Sequence, residues 1–144
     1  MLRQLLVGAG VSVCNIAIHA LVMTVVVRVA HALSARGSLH PSAHLTGVMI
    51  GTVSVLMAAH AVEVMVWAIA YAWVGAAPAR ADVVYFAFVN YTTLGYGDVL
   101  PSEAWLLLGP ITAMNGMLLF GWSAAVIFEI LRRAMTQRPG GAAP

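Results

Sequence analysis

The chain has 144 residues, of which 62% are hydrophobic and 8% are charged, and its mean hydropathy is +0.93. A soluble domain carries about a quarter charged residues, so this composition excludes a protein whose whole surface faces water. The formal net charge of +2 comes entirely from arginines near the ends of apolar stretches, which argues against a patch that binds nucleic acid.

The first predicted element is a transmembrane helix over residues 4–30. No Asp, Glu, Lys or Arg lies between Gln4 and Val27. A helix that rises about 1.5 Å per residue needs roughly 20 residues to cross a hydrocarbon core about 30 Å thick. A cleaved signal peptide is the alternative, but the apolar run exceeds the usual length of about 7–15 residues. The one cysteine, Cys14, lies in this helix and excludes an intrachain disulfide.

The next elements are a long helix over residues 46–75 and a short apolar segment from Ala81 to Thr92. The short segment cannot span a bilayer, so it has to enter and leave on the same side. Non-helical backbone at membrane depth is tolerated only where protein buries it or water reaches it. A half-helix, followed by an extended stretch that brings the chain back to the same membrane surface by Asp98, satisfies that condition.

A last long helix is predicted over residues 102–133, after the breaker Pro101. Residues 136–144 are rich in Gly, Pro and Ala and are predicted to form a disordered tail. No internal repeat is visible, so residues 1–144 are predicted to form a single transmembrane domain.

Arginines predict how the spans are oriented, because they concentrate in cytoplasmic segments. Most of them fall between the first two helices or at the C-terminal end: Arg28, Arg36, Arg132, Arg133 and Arg138. Arg3 and Arg80 fall on the other side. We therefore expect a multi-pass protein of the cell (inner) membrane with a cytoplasmic C-terminus and an extracellular or periplasmic N-terminus. The short segment then opens to the external face.

The stretch from Thr92 to Asp98 reads Thr-Thr-Leu-Gly-Tyr-Gly-Asp and closely resembles the selectivity filter of potassium channels, within a resemblance that covers residues 81–131. In such a filter, rings of carbonyl oxygens replace the water around a dehydrating K⁺. Aiming successive carbonyls at one axis requires alternating right- and left-handed backbone, which accounts for Gly95 and Gly97. The resemblance implies the following ion-binding residues: Thr93, Leu94, Gly95, Tyr96 and Gly97.

The resemblance also implies a supporting layer that includes Thr92, with Tyr96 turned away from the ions and packed on aromatic residues of the half-helix. Two positions that are commonly a tryptophan pair hold Tyr85 and Phe86 here. Tyr85 keeps a hydroxyl that can donate a hydrogen bond to Asp98, whereas Phe86 cannot donate. Leu94 is a second departure, since valine or isoleucine is commoner there.

In the last helix, Gly116, Phe120 and Gly121 resemble the glycine hinge of potassium channels and the motif that follows it. Helical spacing puts Phe120 and Phe128 on one face, and Phe128 is proposed as a hydrophobic constriction. The alternative is that the glycines are small-residue contacts between packed helices.

Glu63 lies in the middle of the second helix, where an ionised carboxylate is costly. His60 precedes it on the same face, and His19 of the first helix can reach this layer. Either the pair takes part in protonation-linked gating, or it is a structural carboxyl satisfied by neighbours, which is the favoured interpretation. A metal site is disfavoured, because only His60 and Glu63 are close in sequence.

These features predict an all-α membrane protein with three transmembrane helices, a re-entrant pore helix and a selectivity filter. One filter strand per chain predicts a symmetric homotetramer, because four strands have to surround one axis. The predicted activity is passive conduction of K⁺ as the permeant ion, without an organic cofactor. Expected partners are three identical subunits and membrane lipids, and no nucleic acid. A weakly selective cation channel and a non-conducting partner subunit are the alternatives; an enzyme is not predicted.

Overall fold

The computed structural model describes residues 1–34, 41–78 and 81–136. The loop residues Arg36 and Arg80, Arg138 and the predicted tail from residue 137 onward lie outside the described residues. Every regular element within the described ranges is helical: α1 (Leu2–Ser34), α2 (Pro41–Val74), α3 (Val83–Tyr91) and α4 (Leu108–Thr136), with a 3₁₀ turn at Glu103–Trp105. The all-α fold predicted from composition is confirmed.

Three of these helices are long and apolar enough to cross a membrane. Their candidate spans are Leu2–Ala30, Ser42–Val74 and Leu108–Arg133. The chain is thus a multi-pass membrane protein, because each stretch exceeds the roughly 20 residues that a bilayer requires. The remaining helix, α3, has nine residues and cannot span.

The last helix begins at Leu108 rather than at residue 102 as predicted. The intervening residues form the 3₁₀ turn, in which the amide of Trp105 donates to the carbonyl of Ser102 at 2.8 Å. Pro110 therefore lies in the first turn of α4, where the missing amide hydrogen would have had no helical partner. No kink is needed to accommodate it.

The half-helix α3 is short because both of its ends are specified locally. The Asp82 carboxylate caps its N-terminus and accepts from the amides of Val84 and Tyr85 at 2.9 and 3.2 Å. At the other end, Thr92 is the C-cap and Thr93 has a φ of 58°, which no helix can continue. The chain must leave the helix at this point.

The helix α3 packs against both α2 and α4, and α1 also packs against α2 and α4. The core around α3 contains several fully buried side chains: Trp67, Tyr71, Phe86, Tyr91 and Leu108. A second, smaller cluster joins α1, α2 and α4 through Val26, Val48 and Ile130.

The start of α1 lies beside the connection that precedes α4. The Gln4 side-chain oxygen accepts from the amide of Leu107 at 2.8 Å, and the Arg3 guanidinium lies 4.3 Å from the Trp105 ring centroid. The N-terminus and the chain that follows the loop after α3 therefore share one end of the bundle. Three spans with a re-entrant segment require this arrangement.

Candidate pore loop and buried polar cluster

The loop after α3 has left-handed backbone at every second residue. The φ angles are 58° at Thr93, 62° at Gly95 and 77° at Gly97. Two of these positions are the glycines that the sequence assigns to left-handed backbone, whereas the third carries a β-branched side chain that the sequence did not predict there. Amides at the loop's start bond back to α3: Thr93 to Asn90 at 3.1 Å and Leu94 to Val89 at 3.0 Å.

The side chains of this loop are largely uncovered by the rest of the chain. Leu94 is 51% exposed and Tyr96 is 69% exposed. The cover that the resemblance implies for Tyr96 is therefore not completed within one chain. Phe86, the second residue of the expected aromatic pair, is buried against Tyr71 of α2 at a ring-centroid distance of 4.9 Å.

The hydrogen bond that the resemblance implies across the loop is present. The hydroxyl of Tyr85 donates to Asp98 Oδ2 at 2.7 Å and so ties the start of α3 to the end of the loop. The carboxylate of Asp98 favours the protonated phenol and raises the pKa of Tyr85. Thr92 turns its hydroxyl back onto α3, where it donates to the Phe88 carbonyl at 2.7 Å.

The glycines of α4 have different surroundings. A Cβ at Gly116 would fall on the carbonyl oxygen of Tyr91, so the last turn of α3 rests directly on α4 at this residue. A Cβ at Gly121 would have no neighbour within 4 Å. Gly116 thus makes a close helix–helix contact, which is the alternative that the sequence left open beside a hinge.

The two phenylalanines proposed for the gate are also placed differently. The Phe120 ring lies tilted against His60 at a centroid distance of 4.2 Å and meets Tyr91 edge-on at 5.5 Å. Phe128 is 67% exposed in the single chain. Phe120 therefore covers the polar side chains of His60 and Tyr91, and Phe128 remains a proposed constriction.

Below the pore loop, side chains of α1, α2 and α3 meet at the buried carboxylate of Glu63. His19 Nδ1 lies 2.8 Å from Oε1, and His60 Nδ1 lies 3.0 Å from Oε2. The Tyr91 hydroxyl donates to Oε2, so three side chains contact this carboxylate. Glu63 and His19 are fully buried. The favoured interpretation from sequence, a carboxyl satisfied by histidine and tyrosine neighbours, matches these contacts.

A fifth residue, Ser123 of α4, joins this group. We call the five residues together the polar cluster: His19, His60, Glu63, Tyr91 and Ser123. Ser123 Oγ lies 3.0 Å from His60 Nε2 and 3.4 Å from His19 Nε2. One hydroxyl thus faces the outer nitrogens of both imidazoles. The sequence did not identify Ser123 or Tyr91 as members of this group.

Three further polar contacts join α1 and α2 to α4 nearer its start. The Trp67 indole donates to Asn115 Oδ1 at 3.1 Å, and Asn15 of α1 donates to the same oxygen at 3.2 Å. The Tyr71 hydroxyl lies 2.6 Å from Thr112 Oγ1. The two α4 partners, Thr112 and Asn115, lie three residues apart and so face the same way. Polar residues that recur at helical spacing within an apolar span are the sequence signal that could have identified them.

Three spanning helices with a half-helix and an extended loop before the last of them define a multi-pass α-helical membrane protein with a re-entrant segment. The family model described as ion channel matches residues 59–133, about half of the chain. The chain belongs to this two-transmembrane ion channel family, and is therefore a channel subunit rather than an enzyme. The match runs from α2 to α4 and does not include α1. No curated protein and no solved structure matches the chain significantly.

Proposed function

We propose that four copies of this chain form a potassium-selective pore, and that Thr93 to Gly97 is the selectivity filter. The observation that carries the proposal is the left-handed backbone at Thr93, Gly95 and Gly97, directly after a half-helix. Alternation of backbone handedness aims successive carbonyl groups toward one side of a strand. A row of such oxygens is the ligand set that replaces the hydration shell of K⁺.

One chain supplies only one such strand, so a closed ring of oxygens needs further copies. Fourfold symmetry brings four strands around one axis. The exposure of Leu94 and Tyr96 in the single chain supports assembly, because neighbouring copies would cover these side chains. The C-terminal end of α3 leads straight into the filter, and its negative dipole end favours a cation there.

Flux through purified protein in liposomes tests this proposal. We expect uptake of radioactive Rb⁺ driven by a K⁺ gradient, with little uptake of Na⁺. Gly95→Ser should abolish selective flux, because its φ of 62° is strained for a residue with a Cβ. Gly10→Ser is the matched control: a Cβ at Gly10 of α1 meets no atom within 4 Å, and flux should be unchanged.

Three results would contradict the proposal. Equal permeability to K⁺ and Na⁺ would indicate a weakly selective cation channel. No flux at any pH or voltage would indicate a non-conducting partner subunit. Unchanged selectivity in Gly95→Ser would show that the filter lies elsewhere.

A further inference from the structure

The polar cluster contains a set of groups that the sequence alone did not bring together. His60 and Glu63 are close in sequence, and the fold adds His19 from α1, 44 residues away from Glu63. One ligand atom from each of the three lies within 4.8 Å of the other two. Two imidazoles and one carboxylate are a common protein ligand set for zinc.

The hydrogen bonds of the cluster do not balance when the Glu63 carboxyl is ionised, both imidazoles are neutral and the cluster is empty. The carboxylate of Glu63 can only accept, so the Nδ1 atoms of His19 and His60 that face it carry the ring hydrogens. Both Nε2 atoms then need a donor, and both face the single hydroxyl of Ser123. That hydroxyl has one hydrogen, so one nitrogen of a largely buried ring is left without a partner, which is costly.

A bound metal ion reverses these roles and gives both nitrogens of each imidazole a partner. The Nδ1 atoms of His19 and His60 would give their lone pairs to the ion and carry their hydrogens on Nε2. The Ser123 oxygen has two lone pairs and accepts from both Nε2–H groups. A hydrogen bond to the outer nitrogen is the usual support of a metal-binding histidine.

We infer that His19, His60 and Glu63 bind a divalent transition-metal ion such as Zn²⁺ inside the helix bundle, with Ser123 orienting both histidines. Tetrahedral coordination with bonds of about 2.0–2.1 Å separates ligand atoms by about 3.3 Å. The facing pairs stand at 2.8 and 3.0 Å, so small side-chain rotations open the required space. The Tyr91 oxygen, 2.9 Å from His60 Nδ1, is placed to supply a fourth ligand.

Such an ion would join α1 to α2 directly, and to α3 through Tyr91. Tyr91 is followed at once by Thr92 and Thr93, so the site lies next to the base of the proposed filter. The inference does not rest on which ion passes the pore, because the ligand atoms are separate from the loop carbonyls.

Metal binding by the purified full-length chain tests the inference without any measurement of flux. The protein is stripped with a chelator, dialysed to equilibrium against Zn²⁺, and its zinc content is measured. We expect one zinc ion per chain. His19→Gln and His60→Gln should each weaken binding at least tenfold, and Ser123→Ala by about 10- to 100-fold, because Ser123 supports the ligands without touching the ion.

His44→Gln is the matched control, since His44 lies in the first turns of α2, at a distance from the cluster along the helix. Its zinc content should equal that of the unaltered chain. A cobalt-loaded sample should show visible absorption bands typical of tetrahedral coordination, which His19→Gln should lack. These readouts use the folded protein and do not depend on a channel assay.

The rival occupant of the cluster is a proton, since either an imidazolium or a protonated Glu63 would also complete the hydrogen bonds of both rings. Nitrogen-15 NMR of the histidine rings separates the two cases. Zinc loading should leave both cluster rings with a hydrogen on Nε2 only. A chain that retains no zinc would overturn the inference, whether the proton resides on an imidazole or on Glu63, as would equal loss of zinc in His44→Gln and His19→Gln.

Discussion

At the scale of single residues, Thr93 carries the least expected feature of the pore loop. Left-handed backbone costs a residue with a Cβ about 1–2 kcal/mol, and threonine is β-branched as well. The amides of Thr93 and Leu94 bond back to α3 and help to hold this conformation. The neighbouring glycines adopt the same region without that cost. The left-handed backbone of the loop thus has two causes: the intrinsic preference of the glycines, and at Thr93 the hydrogen bonds that tie the start of the loop to α3.

The hydrogen bond between Tyr85 and Asp98 predicts how the stability of the pore loop depends on pH. The carboxylate raises the pKa of Tyr85, so the phenol stays protonated and the bond is retained at neutral pH and up to the ordinary tyrosine pKa of about 10. The stabilisation is lost as the pH rises through the raised pKa. Asp98→Asn should therefore lower the pKa of Tyr85, measured by the ultraviolet absorbance of tyrosinate.

Tyr85→Phe identifies the signal in that titration. The absorbance difference between the unaltered chain and Asp98→Asn should disappear when both also carry Tyr85→Phe. A difference that persists would assign the shift to another tyrosine and would contradict a hydrogen bond between the loop and α3.

At the scale of elements, the contact between α3 and α4 depends on the missing side chain of Gly116. A Cβ there would meet the Tyr91 carbonyl, so Gly116→Ala should push the half-helix off α4. Overpacking of this kind costs about 1–3 kcal/mol. We expect a lower thermal unfolding temperature for the purified protein in detergent.

Gly121→Ala is the control for Gly116→Ala. Gly121 is also helical, and a Cβ there would lie in open space, so the change should stabilise the helix by about 0.5–1 kcal/mol. Equal unfolding temperatures for the two variants would contradict the close approach at Gly116. Altered channel opening in Gly116→Ala without loss of stability would instead indicate a hinge.

Also at this scale, α1 is more than a peripheral span. The family match begins in α2, yet α1 supplies Asn15 and His19 to buried contacts with Glu63 and Asn115. An isolated pair of pore helices would leave the Glu63 carboxylate with one histidine fewer. The first helix is therefore built into the polar layer below the loop.

At the scale of the whole molecule, the proposed pore requires assembly. We expect native mass spectrometry in detergent to find a particle about four times the chain mass of 15.2 kDa. The physical reason is that one filter strand cannot surround an ion. A particle of one or two chains, in a sample that conducts, would contradict the fourfold arrangement.

Much of the fold followed from the sequence because its causes are local. A long uncharged stretch is enough to predict a membrane span, and the segment from Ala81 to Thr92 was predicted to be re-entrant because it is too short to span. The structure adds the Asp82 cap, which fixes where α3 begins. The start of α4 was predicted too early, because Pro101 ends one element without showing where the next begins. The 3₁₀ turn at Glu103–Trp105 occupies that interval.

The sequence by itself determined that this chain crosses a membrane and that Gly95 and Gly97 permit left-handed backbone, since hydropathy and dihedral preference act over a few residues. Only the tertiary structure decided which polar residues meet. Ser123 and His19 are 104 residues apart, and no pattern along the chain fixes how α1 and α4 rotate against each other. That rotation is set by side-chain packing between the helices. The sequence therefore could not decide whether Gly116 is a hinge or a close contact between helices.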